Sequence, residues 1–212
     1  MTNAGEGVAR PASASTPGRP DAARDSGPST TTVAWVHLVA GLIGFAASFV
    51  LAVEKYWLLT NPFYQPSCSL NEVVSCGPIM SSVQAAVLGF PNPYLGIAGF
   101  AVVAATGAMR LVGGRIATWY RAALLTGAVA GSALIIWLIT QSLFVIEALC
   151  PYCMVVWAVT FTVLWYSVLD LVAATGRRRT GLAGPATRNH GAVLACGLAA
   201  LAVLVVAVSV TW

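Results

Sequence analysis

The stretch Leu149-Cys150-Pro151-Tyr152-Cys153 stands at the start of an apolar run that continues to Ala173. Proline is favoured at the first position of a helix, because its missing N–H would have no partner within the helix there. We therefore predict a helix over residues 151–173, with Cys150 near its N-cap and Cys153 in its first turn. The partial positive charge of a helix N-terminus favours a thiolate, so both sulfurs are expected to be more reactive than free cysteines.

The composition of the whole chain is that of a membrane protein. Only 8% of the 212 residues are charged and 58% are hydrophobic, whereas soluble domains contain about 25% charged residues. A membrane-spanning helix needs about 20 predominantly apolar residues. Five runs are long enough, so we predict an all-α integral membrane protein with spans at residues 33–53, 94–112, 122–144, 151–173 and 191–211.

The basic residues are distributed unevenly about these spans. Of the eleven Lys and Arg residues, only Lys55 falls on the side that carries the first long loop. The positive-inside rule places the ten arginines and the N-terminus inside, and the first loop and C-terminus outside. We expect a multi-pass membrane protein with this orientation. The net charge of +4 gives no indication of a nucleic acid partner.

This topology divides the chain into four parts. Residues 1–32 are rich in Pro, Ser, Thr, Ala and Gly and are predicted to be a disordered cytoplasmic tail. Residues 33–175 contain the first four spans, residues 176–190 form a basic cytoplasmic loop, and residues 191–212 form the fifth transmembrane helix. Within the first outer loop, residues 78–88 have apolar side chains at helical spacing and predict a short amphipathic surface helix that ends at Gly89.

Three residues within the spans are given structural interpretations. His37, near the start of the first span, is expected at the membrane interface. Asp170, near the inner end of the fourth span, is expected at the interface or paired with nearby arginines. Cys196, in the last span, is interpreted as a small apolar packing residue.

The other four cysteines form two pairs on the outer side, where disulfides form and persist. Cys68 and Cys76 lie in the first loop, and Cys150 and Cys153 lie at the outer end of the fourth span. Static disulfides are one interpretation, although a bridge within Cys-x-x-Cys closes a tiny loop and would stabilise the fold little. A four-thiolate zinc site is another, although one pair is widely spaced and no outer histidine assists. Thiol–disulfide exchange is the interpretation that the spacing favours, and no metal is expected.

Two cysteine pairs at two depths predict a relay. The loop pair can reach a soluble partner, whereas the pair at the membrane can reach a molecule in the bilayer, and exchange through a mixed disulfide connects them. The final electron acceptor cannot be another thiol, or the relay would stall. By elimination, we infer a lipid-soluble quinone of the menaquinone or ubiquinone type.

These features resemble the vitamin K epoxide reductase family, specifically its bacterial homologues. The resemblance covers roughly residues 35–173. It rests on the loop cysteine pair, a short helix bearing Ser81-Ser82 after it, Asn92-x-x-x-Gly96 at the opening of the next span, and the Cys-x-x-Cys at the fourth span. The resemblance implies a four-helix bundle around a quinone, with the short surface helix as its cap.

The resemblance also implies roles for individual residues. Cys68 would accept electrons from a partner's dithiol, and Cys76 would pass them to Cys150 through a transient Cys76–Cys150 disulfide. Cys153 would contact and reduce the quinone. Among the quinone-binding residues, Asn92 would hydrogen-bond a carbonyl oxygen, Ser82 would face the site from the cap, and the indole N–H donor of Trp157 stands where animal members have a tyrosine.

We therefore expect an enzyme, a quinone-dependent thiol oxidoreductase that drives disulfide formation in exported proteins. Many bacterial members of the family carry a fused thioredoxin-like domain after a fifth span. This chain stops after its fifth span, so we expect a separate exported thioredoxin-like partner. The alternatives are a quinone or quinone-epoxide reductase that uses thiols as reductant, and a structural or metal-binding membrane protein.

Overall fold

A computed structural model describes residues 28–61, 63–69, 73–175 and 187–211. The described chain is almost entirely helical. Its helices are α1 (Thr30–Thr60), α2 (Cys76–Ser81), α3 (Pro93–Leu111), α4 (Thr118–Gln141), α5 (Pro151–Ala174) and α6 (His190–Ser209). All of these except α2 are long and apolar enough to cross a membrane, which confirms the prediction of an all-α integral membrane protein with five spans.

The helix boundaries differ from the predicted spans mainly in α1. This helix begins at Thr30, because the Ser29 hydroxyl caps it by accepting a hydrogen bond from the Thr32 N–H at 3.0 Å. The last three residues of the expected tail are therefore helical. The rest of the predicted tail, residues 1–27, and most of the predicted basic loop, residues 176–186, lie outside the described part of the chain.

Helices α1, α3, α4 and α5 form a bundle in which α1 packs against α3 and α5, and α4 packs against α5. The approach of α1 to α3 depends on small residues. A Cβ atom at Gly107 would collide with the backbone of Leu38, and one at Gly96 would collide with the Ser48 hydroxyl. Helix α6 lies at the edge of the bundle and touches α5 and the turn that follows α4. Cys196 on α6 is exposed on the protein surface, so its interpretation as a packing residue is wrong.

The end of the bundle opposite the cysteines is closed by an ion cluster. Asp170 on α5 accepts hydrogen bonds from Arg110 on α3 and from Arg121 on α4, the latter at 2.5 Å, and this confirms the predicted pairing with arginines. His37 was expected at the interface, but its side chain is fully buried between α1 and α5. Its Nε2 lies 3.3 Å from the Ser167 hydroxyl, whereas its Nδ1 has no hydrogen-bond partner among the described residues.

The predicted surface helix at residues 78–88 is divided in two. Helix α2 is followed by its C-cap residue Ser82, whose extended backbone (ψ 155°) breaks the helix. A 3₁₀ turn at Val83–Ala86 follows. The Ser82 hydroxyl stabilises the break by donating to the Ile79 carbonyl at 2.7 Å. Val83, at the start of the 3₁₀ turn, is 88% exposed. The segment does end at Gly89, which has φ 82°. We call residues 76–89 the cap segment.

Candidate functional site

The Cys-x-x-Cys motif forms the first turn of α5. Cys150 is the N-cap, with extended backbone, and its sulfur accepts a hydrogen bond from the Cys153 N–H at 3.4 Å. The pKa of the Cys150 thiol is lowered, chiefly by the hydrogen bond from the Cys153 side chain and further by the Cys153 and Tyr152 N–H groups; burial and the Glu54 charge oppose this. The thiolate form of Cys150 is therefore more favoured than that of an ordinary cysteine.

The first loop brings its own cysteines against this turn. Cys68 and Cys76 are joined by a disulfide, and the segment before Cys76 pairs with the segment before Cys150. In this pairing the Ser75 N–H donates to the Leu149 carbonyl at 2.9 Å, and the Leu149 N–H donates to the Val73 carbonyl at 2.9 Å.

These backbone bonds fix the positions of the two following cysteines. The sulfurs of Cys76 and Cys150 lie 3.0 Å apart, and both side chains are completely buried. A sulfur at this distance from a disulfide is in contact with the atom that it would attack, so the arrangement allows exchange without a large rearrangement.

The sulfurs of Cys68, Cys76 and Cys150 all lie within 4.8 Å of one another, which is also the spacing of a metal site. A cysteine binds zinc as a thiolate. Since Cys68 and Cys76 are joined to each other, their sulfurs are not available as thiolates in this state. The cluster therefore corresponds better to disulfide exchange than to zinc binding.

A cavity of about 650 Å³ lies within the bundle beside the cysteines. Its lining comes from α1, the cap segment, α3, α4 and α5. All four residues that the sequence assigned to quinone binding are among the lining residues, namely Ser82, Asn92, Cys153 and Trp157. Cys153 thus touches both the cavity and Cys150, which places it between the sulfur cluster and any ligand in the bundle.

Asn92 also holds the cap segment in place, a role that the sequence did not indicate. Its amide nitrogen donates to the Gln84 carbonyl at 2.7 Å, and its amide oxygen accepts from the Val87 N–H at 3.0 Å. A side-chain amide has two N–H groups. One N–H of Asn92 is therefore used by the cap segment, and the other is available to a ligand in the cavity.

Sequence reasoning missed several polar contacts around the site. Glu54 and Lys55, in the C-terminal part of α1, bind the loop and the cap segment, respectively. Gln84 in the cap segment donates to Gln141 at the end of α4 at 3.2 Å, and both line the cavity. One feature of the sequence could have indicated the role of Glu54 and Lys55. They are two adjacent charged residues at the end of an apolar run, in a chain with few charges.

The fold and the site define an all-α integral membrane protein that holds two cysteine pairs in contact beside a large internal cavity. A sequence model of the vitamin K epoxide reductase family matches residues 35–168, more than half of the chain, and the chain belongs to this family. A search of curated proteins gave no match. Family membership makes the chain a membrane oxidoreductase, and the family acts on quinones.

The cavity is suited to a quinone. Its lining is apolar along α3 and α4, whereas polar side chains lie at the cysteine end, where Lys55, Gln84, Asn92 and Gln141 join Cys153. Small-molecule sites combine a mostly apolar lining with a few polar groups that orient the ligand, in volumes of about 300–1,000 Å³. The polar groups would orient the ring beside Cys153, and the apolar lining would hold a hydrocarbon tail.

Proposed function

We propose that this protein reoxidises a separate exported thioredoxin-like protein and passes the two electrons through its cysteine pairs to a membrane quinone, and so drives disulfide formation. The observation that carries the proposal is the 3.0 Å contact between the sulfurs of Cys76 and Cys150, with Cys153 next to them in the cavity lining. The quinone is of the menaquinone or ubiquinone type. The cysteine end faces the outside of a bacterial cytoplasmic membrane, an orientation supported by the ten inner arginines.

The relay begins at the loop disulfide. A thiolate of the partner attacks the Cys68 sulfur and releases Cys76 as a thiolate. The partner's second thiol then attacks the partner sulfur of this mixed disulfide, which releases Cys68 as a thiolate and frees the partner in its disulfide form. Cys76 next attacks Cys150 of an oxidised Cys150–Cys153 pair, and Cys153 leaves as a thiolate. Attack of Cys68 on Cys76 releases Cys150. This restores the Cys68–Cys76 disulfide next to the dithiol Cys150 and Cys153, the state described above.

The dithiol then gives up two electrons and two protons while the Cys150–Cys153 disulfide closes. A bound quinone supplies the acceptor for those electrons and protons. Cys153 faces the cavity, while Cys150 stays in contact with the loop. The remaining Asn92 N–H is placed to orient a carbonyl oxygen, and Trp157 and the apolar lining exclude water.

Partner access requires movement of the loop. The Cys68 side chain is only 4% exposed, so a partner thiolate cannot reach its sulfur in the described state. The relay therefore alternates between a closed loop, in which Cys76 contacts Cys150, and an open loop, in which Cys68 meets the partner.

The test is quinone reduction by the purified protein in the absence of oxygen, with a reduced thioredoxin-like protein as donor. The wild type is compared with Cys153→Ala, and Cys196→Ala on the exposed face of α6 is the matched control. We expect turnover that needs the donor and Cys153 but not Cys196. No turnover by folded wild type with either benzoquinones or naphthoquinones would contradict the proposal. Equal turnover with small thiols as the only donor would instead favour a quinone or quinone-epoxide reductase.

A further inference from the structure

We propose that Glu54 and Lys55 form a clamp that holds both ends of the cysteine loop, residues 68–76, and thereby keeps Cys76 in position to exchange with Cys150. This inference rests on the proposed function, because it concerns the exchange step between the two pairs. Both residues lie at the outer end of α1 and are adjacent in sequence. Neighbouring residues of a helix point about 100° apart, so the two side chains can reach different segments.

Glu54 holds the segment that enters the loop. Its carboxylate is buried and accepts hydrogen bonds from the Tyr64 hydroxyl at 2.9 Å, from the Ser67 N–H at 3.3 Å and from the Ser67 hydroxyl at 2.5 Å. Ser67 immediately precedes Cys68. The same contact raises the pKa of Tyr64, which donates to the carboxylate. A buried charge is stabilised only when such donors surround it, so this contact sets where the loop begins.

Lys55 holds the segment that leaves the loop. Its ammonium group donates to the Met80 carbonyl at 2.6 Å, in the last turn of α2. Carbonyl groups at a helix C-terminus lack partners within the helix and carry partial negative charge, so a lysine there is stabilising. Because α2 begins at Cys76, a hold on its end also fixes the position of the Cys76 sulfur.

The clamp adds to the contacts that keep the sulfurs of Cys76 and Cys150 together. The backbone pairing of Val74 with Leu149 aligns the two segments locally, while the clamp ties both flanks of the loop to a long membrane helix. Release of the clamp has two opposite consequences. Exchange from Cys76 to Cys150 becomes slower, whereas the Cys68–Cys76 disulfide becomes more accessible to soluble reductants.

The test uses full-length protein that carries Cys153→Ala, in which the Cys150 thiolate can attack the loop disulfide, whereas the new bridge can be resolved only by return attack of Cys68 and not by Cys153. Exchange is started by raising the pH and stopped by alkylation, and the Cys76–Cys150 bridge is quantified by peptide mapping. Glu54→Gln and Lys55→Met are added separately to this background. The control is Glu147→Gln, because Glu147 is exposed on the same side of the bundle. Thermal unfolding verifies that each variant is folded.

We expect Glu54→Gln and Lys55→Met each to slow bridge formation about tenfold, since hydrogen bonds to charged groups are the strong ones. The rates are compared at a pH at which Cys150 is ionised in every variant, because loss of the Glu54 charge by itself favours the Cys150 thiolate. Both should also speed reduction of the loop disulfide by a soluble phosphine. Lys55→Arg, which keeps a charged donor, should restore both rates, a rescue that general loss of stability would not give. Glu147→Gln should change neither rate.

The failures can be told apart. If Cys153→Ala alone forms no Cys76–Cys150 bridge, both the proposed relay and the clamp are wrong. If that bridge forms, and forms equally fast with Glu54→Gln and Lys55→Met, the clamp alone is wrong and the proposed function stands.

Discussion

Cys150 combines burial with a lowered pKa, and this combination depends on its neighbours in the first turn of α5. Burial alone would raise the pKa of a thiol. The hydrogen bond from the Cys153 side chain and the N–H groups of Cys153 and Tyr152 outweigh that effect. The sequence predicted the helix start and the N-cap position of Cys150 from Pro151. It could not predict which of the two thiols would have the lowered pKa, because that depends on which groups donate hydrogen bonds to each sulfur.

The pH dependence of the thiolate follows from this arrangement. A lowered pKa means that the Cys150 thiolate is present at lower pH than that of the same cysteine in the unfolded chain. Ultraviolet thiolate absorbance, with Cys150→Ser subtracted, should therefore show a lower midpoint in the folded protein than in denaturant. In Cys153→Ala the midpoint should rise, because the largest cause of the shift is removed. A midpoint for folded wild type at or above the midpoint in denaturant would refute the lowered pKa.

At the scale of the element, the packing of α1 against α3 depends on the absence of a side chain at Gly107. A Cβ atom there would overlap the backbone of Leu38, whereas one at Gly99 on the same helix would meet no atom within 4 Å. Gly107→Ala should destabilise the protein by about 1–3 kcal/mol, the usual cost of overpacking. Gly99→Ala is the matched control and should be close to neutral in thermal unfolding. Equal effects of the two would show that the helices do not pack as described.

The ion cluster at the end of the bundle opposite the cysteines gives a second prediction about how the helices pack. Asp170→Asn would leave Arg110 and Arg121 without their carboxylate, and the Arg110 side chain is 7% exposed. Removing one partner of a buried ion pair costs about 3–5 kcal/mol, because the remaining charge is uncompensated. We expect a marked fall in the unfolding temperature in detergent, with Glu147→Gln as the control. An unchanged unfolding temperature would mean that the cluster does not join α3, α4 and α5.

The cap segment shows where sequence patterns cease to be sufficient. The apolar spacing of residues 78–88 predicted one helix, but the Ser82 hydroxyl bond to Ile79 and the Asn92 side chain favour a break and a 3₁₀ turn. Asn92 is outside the predicted helix, so a pattern within the helix could not include its effect. The conformation of the cap segment therefore depends partly on a contact with a residue outside it, which the apolar spacing of residues 78–88 cannot reveal.

At the scale of the whole molecule, the five spans were predictable because each must present about 20 apolar residues to the bilayer. The four outer cysteines and the cavity residues Asn92, Ser82 and Trp157 were identified from their spacing and family resemblance. The clamp of Glu54 and Lys55 was not, because hydrogen bonds between α1 and a loop leave no periodic signal in the sequence.

The central claim is that electrons pass between Cys76 and Cys150, whose sulfurs lie 3.0 Å apart. The most direct measurement is non-reducing peptide mapping of Cys153→Ala. Because Cys153 is absent and cannot attack Cys150 to release Cys76, the account predicts an accumulated Cys76–Cys150 bridge with Cys68 as a free thiol. A map that contains only the Cys68–Cys76 disulfide, with Cys150 free in folded protein, would contradict it.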